Sequence, residues 1–173
     1  MAQPEAGPDY DFRAVTEADL PMIADWLAKP HMAAWWGDPE TEIASIRDHI
    51  DSFSVEPLIV ELDGRAIAYL QSYDPHMEDN HPYADQPFGT LGIDLSIGEP
   101  EFLGLGHGPA IVRQFAGALF GEGAPRVVVD PDPANARAVR AYEKAGFRVL
   151  EERTSQYGHV LLMALDAEEG NDE

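Results

Sequence analysis

The chain has 173 residues, 45% of them hydrophobic, and its 32 acidic against 11 basic residues give a formal net charge of −21. That charge repels nucleic-acid phosphates and anionic membranes and favours cationic ligands, so neither nucleic acid nor membrane is expected as a partner. The absence of cysteine excludes disulfides, thiolate metal sites and cysteine nucleophiles.

No apolar run approaches the ~20 residues of a bilayer span. The opening Met1-Ala2-Gln3-Pro4-Glu5 lacks the charged and apolar regions of a signal peptide, and a cytoplasmic protein is expected. Composition places one domain over 10–166, with disordered flanks at 1–9 and at the acidic 167–173. Either a monomer or a homodimer is compatible with this reading.

Tyr10–Val15 reads as a first strand. Thr16 suits an N-cap, with Asp19 in the first turn, for a helix through Ala28. A loop carrying Trp35-Trp36-Gly37-Asp38-Pro39 precedes a helix to about Phe53. Leu58–Leu62 and Ala66–Tyr73 flank Asp63-Gly64, a strong hairpin signal. A long loop from Asp74 to Pro87 leads into a strand over Gly89–Ile97. A helix is expected from Pro109 to Phe120, a buried strand at Arg126–Asp130, and a helix from Ala134 stopped by Gly146. A last pair, Phe147–Arg153 and Tyr157–Leu165, completes the pattern. This order predicts an α/β (α+β) fold, a mixed and mostly antiparallel sheet of about seven strands with helices on both faces.

The most informative stretch is Leu103-Gly104-Leu105-Gly106-His107-Gly108-Pro109, between a strand and a helix. Its glycines let a backbone approach a ligand closely, and the free N–H groups of a helix start suit a pyrophosphate. It does not fit a dinucleotide fingerprint, because Pro109 stands where Gly or Ala is needed. It does not fit a P-loop either, because no lysine lies between Lys29 and Lys144. A tight loop without a ligand remains the competing reading.

Downstream stands Asp130-Pro131-Asp132-Pro133-Ala134-Asn135, running on through Tyr142-Glu143-Lys144-Ala145-Gly146-Phe147. Together with the glycine turn it resembles the GCN5-related N-acetyltransferase (GNAT) superfamily, which binds acetyl-coenzyme A. The resemblance implies a cofactor site at Ile97, Gly104, Leu105, Gly106, His107, Gly108, Pro109, Asn135 and Arg137, with Tyr142 near the thioester sulfur. Leu103 departs from the family's usual Arg or Gln, which removes a side-chain phosphate contact and leaves the backbone cradle.

Within the superfamily, Trp35-Trp36-Gly37, Ala68–Tyr73, Gly92-Ile93-Asp94 and Asp130–Pro133 resemble aminoglycoside 6′-N-acetyltransferases. That likeness implies Asp94 as the base that takes the substrate's ammonium proton, with Asp130 and Asp79 holding its other amines. It implies Trp36, Gln71, Tyr73 and Tyr83 as further substrate contacts. His81-Pro82-Tyr83 replaces a tryptophan-bearing loop of close relatives, so selectivity for substrate shape is open. A siderophore-type lysine N-acyltransferase is the alternative enzyme, although that branch shows Gly-x-His where this chain has Gly92-Ile93-Asp94. A non-catalytic acyl-CoA-binding domain is the alternative outside enzymes.

Charge distribution agrees with two unlike ligands. From Ala66 to Val112 there is no Lys or Arg beside Asp74, Glu78, Asp79, Asp85, Asp94, Glu99 and Glu101, whereas Arg113–Arg153 carries seven basic residues. The second region suits an anionic cofactor and the first a cationic amine; plain surface solubility is the competing reading of the acid excess. His76 and His81 beside Glu78 and Asp79 lack regular ligand spacing, and no metal site is expected.

Overall fold

In the computed structural model, which describes residues 8–155 and 158–168, seven strands form one sheet. They are β1 (Tyr10–Ala14), β2 (Val55–Leu62), β3 (Arg65–Tyr73), β4 (Leu91–Ile97), β5 (Arg126–Val129), β6 (Arg148–Ser155) and β7 (Gly158–Asp166), in spatial order β1-β2-β3-β4-β5-β7-β6. Every neighbouring pair is antiparallel except β4 and β5. Five helices accompany them: α1 (Leu20–Leu27), α2 (Pro30–Ala33), α3 (Pro39–His49), α4 (His107–Gly121) and α5 (Ala136–Lys144). The mixed, mostly antiparallel sheet is the one the sequence predicts.

Asp63 and Gly64 both take positive φ, 52° and 81°, the requirement of a type I′ hairpin. The resulting register sets Leu58 against Leu70, Ile59 against Tyr69 and Val60 against Ala68. Strand alternation then sends Ile59 and Tyr69 to one face, where they pack with Ile23, Trp26 and Leu27 of α1 and Ile46 of α3. Leu58, Val60 and Leu70 go to the other, against Ile111, Val112 and Phe115 of α4. Burying each such side chain contributes about 1.5–3 kcal/mol, so the two faces together fix the register.

Element ends differ from the sequence reading for local reasons. α2 lies inside the expected Trp35 loop, started by Pro30 at a position that tolerates a missing N–H. α3 stops at His49 rather than near Phe53. β4 starts at Leu91 because Gly89 turns at φ 92° and the Thr90 N–H is taken by the Pro87 carbonyl. α4 starts at His107, capped by left-handed Gly106, so Pro109 sits in the first turn. The Pro8 carbonyl accepts from the Gln114 side chain and the Ala167 N–H bonds Pro125 O at 3.0 Å, so ordered contacts run slightly past 10–166. The segments 1–7 and 169–173, expected to be disordered, lie outside the described residues, as does Tyr157. No helix among the described residues is long and apolar enough to cross a membrane.

The feature that positions the site is the parting of β4 and β5. They pair only at Leu91–Val127 and Gly92–Val128, while β4 continues to Ile97. β5 ends at Val129 because Pro131 and Pro133 follow, neither able to donate to a ladder. The rest of β4 faces a gap.

Candidate active site

Two clefts flank β4. The first, about 410 Å³, is lined by Leu95, Ser96 and Ile97 of β4, Gly108 and Val112 of α4, and Asn135, Arg137, Ala141 and Tyr142. Its far wall is His31 to Trp36. The second, about 380 Å³, is lined by Gln71, Tyr73, Asp94 and Asp130 together with Glu78, His81, Pro82, Tyr83 and His49. Successive residues of a strand point to opposite sides, so Asp94 enters one cleft and Leu95 the other.

The first cleft lies at the starts of α4 and α5. Gly104 and Gly106 take φ of 73° and 87°, a conformation that L side chains rarely adopt. Gly108 faces Ala141, whose Cβ is 3.7 Å from where a Cβ on Gly108 would lie, an ordinary contact distance between α4 and α5. The first N–H groups of a helix have no intrahelical partner, and both positive helix ends face this cleft. Asn135 caps α5, its Oδ1 accepting from Ala138 N at 3.2 Å, which leaves the Nδ2 donors uncommitted by the cap. Turn glycines, helix starts, the Asn135 amide and exposed Arg137 are a donor set for a diphosphate, and Leu95, Ile97, Val112 and Ala141 supply an apolar wall beside it.

His107 is part of the turn by its backbone alone. Its ring turns inward, Nδ1 lying 2.7 Å from the Tyr10 hydroxyl and the ring in a T-shaped contact with Phe102, and so ties the turn to β1. Ile97 uses its carbonyl on His31 Nε2 at 2.8 Å. Leu105 is 67% exposed at the tip of the turn.

In the second cleft, the register of β3 on β4 places Gln71 opposite Asp94, and Gln71 Nε2 donates to Asp94 Oδ2 at 3.1 Å. Gln71 is itself oriented by the Tyr69 hydroxyl at 2.7 Å. Gly92 sits opposite Tyr73, whose ring occupies the space a Cβ would need (2.0 Å), so the ring lies flat as a cleft wall, stacked with His81 at 5.3 Å. The carboxyls of Asp94 and Asp130 share the cleft and perturb each other's titration, and Tyr83 donates to Asp130 Oδ2 at 2.8 Å. Burial and the neighbouring Asp130 charge push Asp94 well above the usual carboxylate range; burial also raises Asp130, against the pull of the Tyr83 hydroxyl. The pair therefore holds one proton more tightly than separate carboxylates would. Tyr142 is pushed up by burial and by Asp94, with the Leu95 amide opposing, so its phenol stays protonated.

Asp94, Asp130, Gln71, Tyr73 and Tyr83 thus come together as the sequence suggests. Two expected substrate contacts do not join them. Trp36 lies in the first cleft, donating from Nε1 to Ser96 Oγ at 2.7 Å and edge-on to Tyr69, because α2 turns it onto the free edge of β4. Asp79 is exposed and outside the lining, and the adjacent Glu78 takes that place, held by Ser54 Oγ at 3.2 Å. Glu78 thus lines the cleft one position before the residue that spacing back from Asp94 points to. His49, at the end of α3, carries no sequence signal. His76 staples the loop, its Nε2 lying 3.1 Å from the carbonyls of Ala84 and Gln86.

Comparison with known proteins agrees with this geometry. The family model for the acetyltransferase (GNAT) domain matches residues 15–155. Aminoglycoside N(6′)-acetyltransferase type 1 of Klebsiella pneumoniae is 35% identical over 144 residues, 78% of this chain and 72% of its own length. Lysine N-acyltransferase MbtK of Mycolicibacterium paratuberculosis is 30% identical over 171 residues, 95% of this chain and 76% of its own. The structure of AAC(6′)-Ib in complex with ribostamycin and coenzyme A superposes with a TM-score of 0.82 at 31% identity, covering 91% of this chain and 93% of that one. By the family match and by these relatives, the chain belongs to the GNAT acetyltransferases.

Proposed function

We propose that this enzyme transfers the acetyl group of acetyl-CoA to a primary amine of a polycationic small molecule, the 6′-amine of an aminoglycoside. The observation that carries this reading is the parting of β4 and β5, which sets a buried carboxylate in one cleft and a protonated phenol in the other. The first cleft fits the cofactor. The turn at Gly104–Gly108 and the start of α5 would hold its diphosphate, and the bound cofactor supplies the activated thioester carbonyl. Arg137, among residues of nearly balanced charge, suits its anionic end.

The second cleft suits a cation. Asp94, Asp130 and Glu78 face it, and a protonated amine entering there favours the ionised forms of Asp94 and Asp130. An alkyl ammonium is not nucleophilic, so Asp94 accepts its proton, directly or through water, and Gln71 keeps the carboxyl aimed. The freed amine attacks the thioester carbonyl, a backbone N–H on the open edge of β4 polarises its oxygen, Tyr142 protonates the departing thiolate, and the proton the nitrogen sheds on becoming an amide restores the phenol through solvent. No covalent enzyme intermediate is needed; holding both substrates together supplies much of the rate. An enzyme that uses acetyl-CoA fits a cytoplasmic location, with a monomer or homodimer able to carry a site built from one chain.

Thioester cleavage across a panel of amines tests the reading. Turnover with kanamycin-like amines, faster at low salt, is the expected result. Turnover with lysine derivatives alone would move the enzyme to the lysine N-acyltransferase branch, and tight acetyl-CoA binding with no turnover would overturn the transferase reading.

A further inference from the structure

The long loop before β4 carries Tyr83, and its hold on the rest of the protein comes from the far edge of the sheet. Arg153 of β6 donates from Nη1 to the Pro82 carbonyl at 2.8 Å and from Nη2 to Asp85 Oδ2 at 2.7 Å, and its guanidinium lies 5.6 Å from the centre of the Tyr83 ring. Its Nε is taken by Glu151. The planar fork thus meets a carbonyl, a carboxylate and an aromatic face at once, a combination a lysine cannot copy. The Arg153 side chain is 20% exposed and the whole of Tyr83 only 4% exposed, whereas Asp85 is 59% exposed, so the Pro82 and Tyr83 contacts are sheltered and the Asp85 arm is open to screening. Tyr83 in turn donates to Asp130 Oδ2, leaving the other carboxylate oxygen for a substrate.

We propose that Arg153 is a positioning residue of the amine site. By clamping residues 82–85 it holds the Tyr83 hydroxyl on Asp130, and so sets both the width of the cleft and the readiness of Asp130 to stay ionised. The proposal rests on the amine-acetyltransferase reading. Arg153 has its donors committed to protein groups and acts through Tyr83. The groups facing Asp130 are Asp94 from β4, Tyr73 from β3, Tyr142 from α5, and Tyr83 and His81 from the loop. Burial raises its titration, and of these groups Tyr83, Asp94 and His81 pull it downward. Losing the Tyr83 bond raises it.

The test is Arg153→Ala beside Arg153→Lys and Tyr83→Phe. In Arg153→Ala the amine KM rises about tenfold, the scale of one lost hydrogen bond to a charged group, with the acetyl-CoA KM nearly unchanged. The acid limb of kcat/KM moves to higher pH, and Tyr83→Phe reproduces that shift. Adding Arg153→Ala to Tyr83→Phe changes the amine KM little further, because one acts through the other. Arg153→Lys recovers only part of the loss. Amide exchange across residues 83–86 is faster in Arg153→Ala with no substrate present. Equal losses for both substrates, a lowered Tm with unchanged KM and pH profile, full recovery by lysine, or unchanged exchange at 83–86 would each overturn the proposal. A wild-type enzyme silent toward every amine would sink the functional reading instead, and the exchange measurement would still decide the clamp. Should Arg153→Ala fail to fold, Arg153→Lys and Tyr83→Phe carry the same comparison.

Discussion

Replacing Asp94 with Asn isolates the base. The amide oxygen of Asn can still accept from Gln71 Nε2, which now lies 3.1 Å from Asp94 Oδ2, so the local geometry is kept and the proton acceptor is lost. An alkyl ammonium with the pKa of a lysine, about 10.4, has only about one free amine in a thousand at pH 7.4. Without a base the enzyme must capture that fraction, so turnover falls about 10²–10³-fold, within the range of general-base contributions. That loss equals about 2.7–4 kcal/mol of barrier. The sign with pH is distinctive: the deficit of Asp94→Asn narrows about tenfold per pH unit as free amine accumulates, until the amine pKa is reached. The acetyl-CoA KM is unchanged, because Asp94 faces the other cleft. Steady-state thioester cleavage between pH 6 and 9 reads all three quantities. A rate equal to wild type, or a deficit constant with pH, would refute the assignment of Asp94 as base.

Other outcomes follow from the same contacts. Asp130→Asn raises the amine KM, most at low salt, yet raises the Tm at neutral pH. A carboxyl whose native pKa lies above its unfolded value loses stability as pH rises through that native pKa, so removing the Asp94–Asp130 repulsion stabilises; at this chain length each kcal/mol is about 2–4 °C by thermal melt. Gly106→Ala forces a side chain into φ 87°, costs about 1–2 kcal/mol, and weakens acetyl-CoA binding in a calorimetric titration while leaving the amine KM alone. Asp19→Asn loses the pair with Arg13, 2.8 Å apart, and lowers the Tm. The Arg13 guanidinium holds Asp19 below the usual carboxylate range, so this stabilisation is present above the unfolded carboxylate pKa and lost as pH falls through the native one. With Arg13 39% exposed the effect is about 1 kcal/mol, and the Tm difference between wild type and variant should be full at pH 7 and shrink progressively in melts taken as the pH is lowered into the acid range.

What was legible in the sequence follows from how local each signal is. The Asp63-Gly64 hairpin and the glycine turn are short-range devices whose residue types dictate their backbone, and both stand where the sequence places them, whereas α5 starts at Ala136, capped by Asn135, two residues after the Ala134 start read from the sequence. Asp94 and Asp130 were readable through a resemblance, and their meeting is a consequence of the parallel β4–β5 pairing at Gly92–Val128. Contacts made by folding were not readable. Trp36 ends on Ser96, 60 residues away, because a four-residue helix intervenes. Glu78 rather than Asp79 faces the cleft, held there by Ser54, 24 residues upstream. Arg153 reaches Asp85 across 68 residues, with no motif to announce it.

The account stands most directly on a crystal of the enzyme grown with coenzyme A and a kanamycin-like amine. It predicts the diphosphate on the backbone N–H groups of Gly104–Gly108, and a substrate amine nitrogen within hydrogen-bond distance of the Asp94 carboxyl. A diphosphate bound elsewhere, or a substrate whose every amine is held away from Asp94, would contradict it.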